Sequence, residues 1–287
     1  MVKIITDTLS SLPEALAQRY HIPIIPQVVC FGNASFLEGV EIDSATFLER
    51  LKTASELPKT AAPPPELFVQ AFKRLLPSGE PIMCIHPSAE ISGTVRSATV
   101  AAADFPDADI RVIDTRVIAG GLYTMVQLAA EWAAAGDDAD TIQARLRDLT
   151  ARNRTYFLVD TLEFLAKGGR IGGAAALLGS LLHIKPILTL RDGKVDQFER
   201  ERTRKAALAR LKSLVLEQIP RDRDGYLTVM HAGALQRGQA LADDLSAQLG
   251  LSDVPLLDLP PAVVTHAGPG VLAVSFFVKA AQQCDSV

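Results

Sequence analysis

Cysteine is scarce in this chain of 287 residues. Only Cys30, Cys84 and Cys284 are present, and no two of them form a C-x-x-C pair. Small secreted domains need paired cysteines for a disulfide framework, and structural zinc sites need clustered cysteine or histidine ligands. The sequence therefore excludes both classes, and its cysteine usage favours the reducing cytoplasm.

An excess of positive charge and a long uninterrupted apolar run are also missing. The chain has 29 Lys plus Arg against 33 Asp plus Glu, a formal net charge of -4, whereas nucleic-acid-binding domains are basic. The longest uncharged stretch, 259–278, contains three prolines and two glycines, which break a spanning helix. Asp7 falls where a signal peptide needs its apolar run. We expect a cytoplasmic protein with no nucleic-acid partner.

Several motifs of catalysis and nucleotide binding do not occur. No G-x-G-x-x-G follows a predicted strand, and G-x-x-x-x-G-K-[ST], H-E-x-x-H and G-x-S-x-G are absent. Nucleotide-binding, zinc-protease and hydrolase-elbow interpretations therefore lose their main support. A catalytic pair of Ser92 with His86 or His266 stays open, because triad members need only be close in space.

The first half of the chain alternates short apolar runs with longer segments of helical periodicity. Strands are predicted at 2–6, 22–31, 81–86 and 110–114, and a proline-interrupted loop at 59–65. Such alternation is typical of a parallel sheet covered by helices.

The pattern changes near residue 155. Further strands are predicted at 156–160, 184–190, 195–200, 226–231 and 254–259. The second and third of these form a hairpin around Asp192-Gly193, and a helix near 235–249 separates the last two. A last strand pair is predicted around the Gly-Pro-Gly turn at 268–270. We therefore predict an α/β protein of two domains. Residues 1–155 would form an N-terminal three-layer α/β/α domain with a parallel sheet of about four strands. Residues 156–287 would form a C-terminal two-layer α/β domain with a mixed sheet of about six strands.

Ligands of open parallel sheets bind beyond the carboxyl ends of the strands. This rule selects Thr6-Asp7-Thr8 and the segment 86–97. Within the second, Ser92-Gly93-Thr94 opens a helix, so amides and two hydroxyls could bind a carboxylate or phosphate. The alternative is that Ser92 or Thr94 only caps the helix and that Asp7 is only a cap or a carboxylate that fixes its loop.

Two later segments also have the chemistry of a site. His266 lies in Thr-His-Ala-Gly-Pro-Gly, which is predicted to be a loop. The glycines of 168–173 precede an Ala- and Leu-rich stretch, 174–182, which is either a buried helix or the apolar wall of a ligand site. Arg170, between these glycines, is expected to reach solvent or to pair with an anion.

Distinctive motifs follow one another along nearly the whole chain. They are Ile5-Thr6-Asp7, Lys59-Thr60, Ile91-Ser92-Gly93-Thr94, Asp114-Thr115, the run from Leu162 to Ile171 that reads LEFLAKGGRI, and His266-Ala267-Gly268-Pro269-Gly270. In these motifs the chain resembles the DegV family of bacterial fatty-acid-binding proteins. It departs from the family pattern at Ala61 and Ala62, where serine and glutamine are usual.

The resemblance implies a DegV-like fold with a long-chain fatty acid, palmitate-like or oleate-like, in a buried tunnel between the domains and no metal or other cofactor. The residues implied to bind its carboxylate are Thr60, Ser92 and His266. Those implied near the head group or at a docking surface are Arg170, Thr94 and Gly93.

The resemblance also implies partners. The chain would be a non-catalytic subunit that presents the carboxylate to a separate ATP-dependent fatty acid kinase, which makes the acyl phosphate. Ligand exchange would involve transient contact with a membrane surface. Two alternatives stay open: a serine-type hydrolase or acyl transferase using Ser92 and His266, and a lipid-sensing regulatory domain.

Overall fold

The computed structural model describes residues 1–178, 184–221 and 223–279. In chain order its strands are β1 Lys3–Asp7, β2 Ile24–Ile25, β3 Val28–Phe31, β4 Ala34–Leu37, β5 Lys59–Ala61, β6 Ile82–His86, β7 Ile110–Asp114, β8 Asn153–Leu158, β9 Lys185–Arg191, β10 Lys194–Glu201, β11 Thr228–His231, β12 Leu256–Asp258 and β13 Leu272–Phe277. Its α-helices are α1 Glu14–Tyr20, α2 Ser44–Thr53, α3 Pro65–Leu75, α4 Thr94–Ala102, α5 Gly120–Ala135, α6 Ala139–Arg152, α7 Glu163–Lys167, α8 Arg204–Gln218, α9 Leu235–Leu249 and α10 Pro261–Ala267.

The first sheet has four parallel strands in the order β2-β1-β6-β7. Its strands are apolar on both faces. Ile4 and Met83 pack on the side of α5, whereas Ile5 and Cys84 pack on the side of α3 and α4. Burial of both faces explains the continuous apolar runs in the sequence, and it confirms the predicted parallel sheet between helices.

The second sheet has six strands in the order β10-β9-β8-β13-β11-β12, antiparallel except for the β11–β12 pair. The predicted hairpin of β9 and β10 turns at Asp192 and Gly193, whose positive φ angles suit a tight two-residue turn. Helices α8 and α9 cover the outer face, and the Thr203 side chain caps α8 by accepting from the Ala206 amide at 3.1 Å. The mixed sheet is therefore confirmed.

Helix α5 packs against both sheets. Most of its residues are buried, as expected for a helix that is apolar around its whole circumference. Gly120 and Gly121 begin it, and a Cβ at Gly121 would lie 2.8 Å from Asn153 Nδ2. One hydrophobic core thus continues from the parallel sheet through α5 to the inner face of the mixed sheet.

A small third sheet, in the order β4-β3-β5, was not expected. The predicted strand 22–31 is wrong as a single element. It divides at Pro26 and Gln27 into β2, which joins the parallel sheet, and β3, which pairs with β4 and β5. Proline has no N–H to continue a ladder, so the chain changes sheets there. The predicted loop 59–65 likewise begins with β5.

The predicted last strand pair is also wrong. Pro260 and Pro261 begin helix α10, because the fixed φ of proline suits the first turn of a helix. The helix ends at Gly268, where φ is +81°, and β13 follows alone. His266 therefore lies in the last turn of a helix rather than in a loop.

The glycine-rich segment 168–173 follows α7 and leads into a 3₁₀ helix over Gly172–Leu177. Ala175 and Ala176 are exposed, so the described part of this stretch is not a buried helix. Residues 179–182, which completed that prediction, lie outside the described residues. Among the residues that are described, no helix has the length and apolar character that crossing a bilayer requires.

Candidate functional site

A cavity lies between the carboxyl ends of the parallel strands and the inner face of the mixed sheet. Its wall is mostly apolar, with contributions from Phe157, Leu165, Leu190, Val195, Met230 and Val271. None of the described residues from 171 to 178 lines it, so these residues do not form the predicted ligand wall. A deep apolar space with a few polar groups is the usual form of a small-molecule site.

The predicted head-group residues lie together at this cavity. Thr60 comes from β5, Ser92 and Gly93 from the turn before α4, and His266 from α10, and all line the wall together with Arg170. Thr94 is different: it is fully buried behind Ser92 and does not line the cavity.

The His266 ring is held against Thr60. Its Nε2 lies 2.7 Å from Thr60 Oγ1, whereas its buried Nδ1 has no hydrogen-bond partner among the described residues. Burial, together with the charge of Arg170, lowers the pKa of His266 to about 4. The imidazole is therefore neutral at neutral pH, and the Thr60–His266 pair can supply neutral hydrogen bonds at the cavity wall.

Gly168 allows the His266 ring to lie where it does. A Cβ at position 168 would be 2.3 Å from His266 Nδ1 and 2.9 Å from the Phe164 carbonyl oxygen. Only glycine leaves this space free. The glycine-rich motif therefore contributes to the site by leaving space for the His266 ring.

Arg170 is also held at the cavity wall. Its Nε donates to the Ile91 carbonyl at 3.2 Å, and its Nη1 donates to the Gly168 carbonyl at 2.8 Å. Arg170 is half-buried, so it keeps part of the solvent contact that was expected, and these two hydrogen bonds go to carbonyls. The guanidinium brings positive charge to the polar end of the cavity.

Ser92 and Thr94 are the outer members of a buried polar network. Their hydroxyl oxygens are 2.8 Å apart, and Gln27 Nε2 donates to Thr94 Oγ1 at 2.8 Å. The residue before α4 is Gly93, which has no side chain to cap the helix, but Ser92 Oγ accepts from the Thr94 amide at 3.3 Å and so satisfies one amide of the first turn.

Asp7 anchors the other end of this network. Its Oδ1 accepts from the Leu9 amide at 2.9 Å and from Gln27 Nε2 at 3.2 Å, and its Oδ2 lies 2.7 Å from His86 Nδ1. Asp7 thus caps the 3₁₀ turn after β1, as the cap interpretation predicted. It also joins the ends of β1 and β6.

A second buried carboxylate, Glu38, fixes helix α10. Its Oε1 accepts from the Ala262 amide at 2.6 Å, and its Oε2 accepts from the Thr8 hydroxyl. Burial raises the pKa of Glu38 to about 7. Glu38 therefore connects the end of β1 to the helix that carries His266.

These residues do not form a serine-hydrolase triad in the described part of the chain. No hydrogen bond joins Ser92 to His86 or His266, and no carboxylate contacts His266 Nδ1. His86 has its carboxylate partner in Asp7, but its Nε2 has no partner. The arrangement can provide hydrogen bonds to a ligand, and among the described residues it lacks the orienting contacts that activate a serine.

Comparison with known proteins agrees with the sequence motifs. The family described as "Uncharacterised protein, DegV family" matches residues 1–279. The chain belongs to the DegV family. A DegV domain-containing protein of Streptomyces coelicolor is 38% identical to it over 279 residues, which cover 95% of this chain and 97% of that protein.

Solved DegV structures share the whole fold. A structure described as "Fatty Acid Binding of a DegV family Protein" from Thermus thermophilus has a TM-score of 0.88 and 30% identity, and covers 97% of this chain and 99% of its own. Bacillus subtilis DegV, described as a fatty acid binding protein, has a TM-score of 0.87 and 29% identity with the same coverage. The α/β architecture with these two sheets is therefore that of DegV proteins.

Gln27 and Glu38 were not found from the sequence of this DegV protein. Gln27 is a lone polar residue in an apolar run directly after Pro26, and that interruption was the available signal. Glu38 lies in a stretch for which no element was predicted. The partners of both are brought near by the fold, at separations of up to 224 residues.

Proposed function

We propose that this DegV protein binds a long-chain fatty acid, with the acyl tail in the cavity and the carboxylate at Thr60, Ser92 and His266. The observation that carries the proposal is an apolar cavity whose polar wall gathers these three side chains with Arg170. The fatty-acid binding described for the Thermus and Bacillus proteins supports it.

The tail alone provides substantial affinity. A chain of about 16 to 18 carbons buries roughly 14 methylenes, worth about 11 kcal/mol at roughly 0.8 kcal/mol each. Ordering the chain and losing its free motion offset a large part of this gain. Binding in the micromolar range or tighter is therefore expected, with the head-group contacts setting the orientation of the ligand.

The head group is held mainly by neutral donors. A buried carboxylate needs several hydrogen bonds, and hydroxyls and a neutral imidazole can supply them. Arg170 already donates to two carbonyls, so its charge is close without being committed to the ligand. A carboxylate bound in this way stays available for transfer to a second protein.

The proposal extends to a separate ATP-dependent fatty acid kinase, which would convert the presented carboxylate into an acyl phosphate. This chain would be the non-catalytic subunit, work in the cytoplasm and exchange its ligand at a membrane surface. We take it as two domains, residues 1–155 and 156–287, with the fatty acid between them. That division is supported by a cavity lined by residues from both.

Substitution of Ser92 tests the site. Ser92→Ala removes one donor to a charged ligand and is expected to weaken fatty-acid binding by about tenfold or more. Binding is measured by titrating the delipidated protein with palmitate and oleate, and acyl phosphate formation is measured after adding a fatty acid kinase and ATP. Affinity equal to that of the wild-type protein contradicts the assignment. Ester hydrolysis that vanishes in Ser92→Ala would instead favour the hydrolase.

A further inference from the structure

Gln27 is a buried amide at the cavity wall, with 2% of its surface exposed. Its Nε2 donates to Asp7 Oδ1 at 3.2 Å and to Thr94 Oγ1 at 2.8 Å. Asp7 Oδ1 also accepts from the Leu9 amide, so this oxygen acts as an acceptor. The NH₂ group of Gln27 must therefore face Asp7 and Thr94, because its carbonyl oxygen would be repelled there.

This orientation determines which way the next hydroxyl points. Thr94 Oγ1 accepts from Gln27, and the other contact of this hydroxyl in the described part of the chain is Ser92 Oγ at 2.8 Å. A threonine hydroxyl has one hydrogen to donate. Since Thr94 is fully buried, that hydrogen goes to Ser92.

Ser92 then has its acceptor positions occupied. Its Oγ accepts from the Thr94 hydroxyl and, at 3.3 Å, from the Thr94 amide. The Ser92 hydrogen is left for the cavity, which this side chain lines. A carboxylate accepts hydrogen bonds and donates none, so a serine that binds one must donate.

We infer that Gln27 is a positioning residue that makes Ser92 a hydrogen-bond donor to the fatty-acid carboxylate. This inference rests on the proposed function. Removing the Gln27 amide lets Thr94 and Ser92 exchange donor and acceptor roles, so the Ser92 hydrogen can turn away from the ligand. The resulting loss of affinity is specific to a ligand whose head group can only accept hydrogen bonds.

The test compares a fatty acid with the alcohol of the same chain length. In Gln27→Leu the affinity for the acid is expected to fall by about tenfold, the loss of one charge-assisted hydrogen bond. The affinity for the alcohol is expected to stay at the wild-type value, because a hydroxyl can donate or accept. Retained alcohol binding also shows that the variant is folded.

Substitution of Thr94 gives the matched controls. Thr94→Ser keeps the hydroxyl and is expected to bind both ligands as the wild-type protein does. Thr94→Val removes the acceptor to which the Ser92 hydrogen could turn, so it is expected to keep acid affinity close to the wild-type value. For the same reason, the double variant Gln27→Leu with Thr94→Val is expected to recover the acid affinity that Gln27→Leu loses, since the two residues act through one chain of hydrogen bonds.

Three results overturn the inference about Gln27. They are unchanged acid affinity in Gln27→Leu, an equal loss for acid and alcohol, and a double variant whose acid affinity is as low as that of Gln27→Leu. The first result shows that Gln27 has no role in binding, the second shows that it has a packing role, and the third shows that Gln27 does not act through Thr94. A wild-type protein that binds neither ligand instead contradicts the proposed function itself, and the inference about Gln27 with it.

Discussion

The substitution Gly168→Ala probes the geometry of the site without removing any polar group. The added Cβ would lie 2.3 Å from His266 Nδ1, whereas ordinary contacts begin at 3.4 Å. Relieving this overlap requires a displacement of about 1 Å, which is as large as the margin between the 2.7 Å contact of Thr60 Oγ1 with His266 Nε2 and the limit of hydrogen-bond range. We therefore expect the change to break the hydrogen bond between the two residues proposed to act together.

The expected magnitude follows from two costs. Crowding a packed site costs about 1–3 kcal/mol, and the lost hydrogen bond costs about 1 kcal/mol. We expect the free energy of unfolding to fall by about 2–4 kcal/mol in urea denaturation and fatty-acid affinity to fall by about tenfold in ligand titration.

The neighbouring glycine provides the control. Gly169 has a φ of +70°, and a Cβ added there would have no atom within 4 Å, so Gly169→Ala adds backbone strain of about 1–2 kcal/mol without touching His266. We expect Gly169→Ala to lose stability and keep fatty-acid affinity. Wild-type affinity in Gly168→Ala, or an equal loss of affinity in both variants, refutes the reasoning.

Two further predictions concern Glu38 and the tail. The pKa of Glu38 is raised from 4.5 to about 7 in the folded state, so folding favours the protonated carboxyl. The resulting stabilisation, on the order of 3 kcal/mol, is present at low pH and is lost as pH rises from about 4.5 to 7. In urea denaturation, the free energy of unfolding of the wild-type protein is expected to fall by this amount between pH 5 and pH 8, whereas that of Glu38→Gln does not show this fall. The same change with pH in both proteins would contradict the prediction. At Gly120 a Cβ would lie 2.9 Å from Met230 Sδ, so Gly120→Ala is expected to push this cavity-lining side chain inward and shift the bound fatty acids to shorter chains. Mass spectrometry of the bound pool measures the shift, and adding Met230→Ala is expected to reverse it; an unchanged chain-length profile contradicts this view of the tail end.

The parallel sheet and the hairpin could be predicted because their signals are local. Strand β7 and helix α9 have the predicted bounds, and the hairpin turns at the predicted Asp192 and Gly193. Helix α10 was missed because Pro260 and Pro261 suggest an interruption, although proline also suits a first helical turn.

The sequence indicated which residues belong to the candidate site better than it indicated which of them contact one another. Thr60, Ser92 and His266 were identified by family resemblance, and they line one cavity. The 2.7 Å contact of Thr60 with His266 joins residues 206 positions apart, which local patterns cannot reveal. Gln27 was not predicted for the same reason, because a single polar residue in the sequence does not indicate the hydrogen-bond network that it forms in the fold.

The most direct test of the proposed function is mass spectrometry of an organic extract of the purified, denatured protein. We expect a palmitate-like or oleate-like fatty acid at close to one molecule per chain. An empty extract, from a folded protein that also fails to take up added fatty acid, would contradict the proposal that this cavity binds fatty acids.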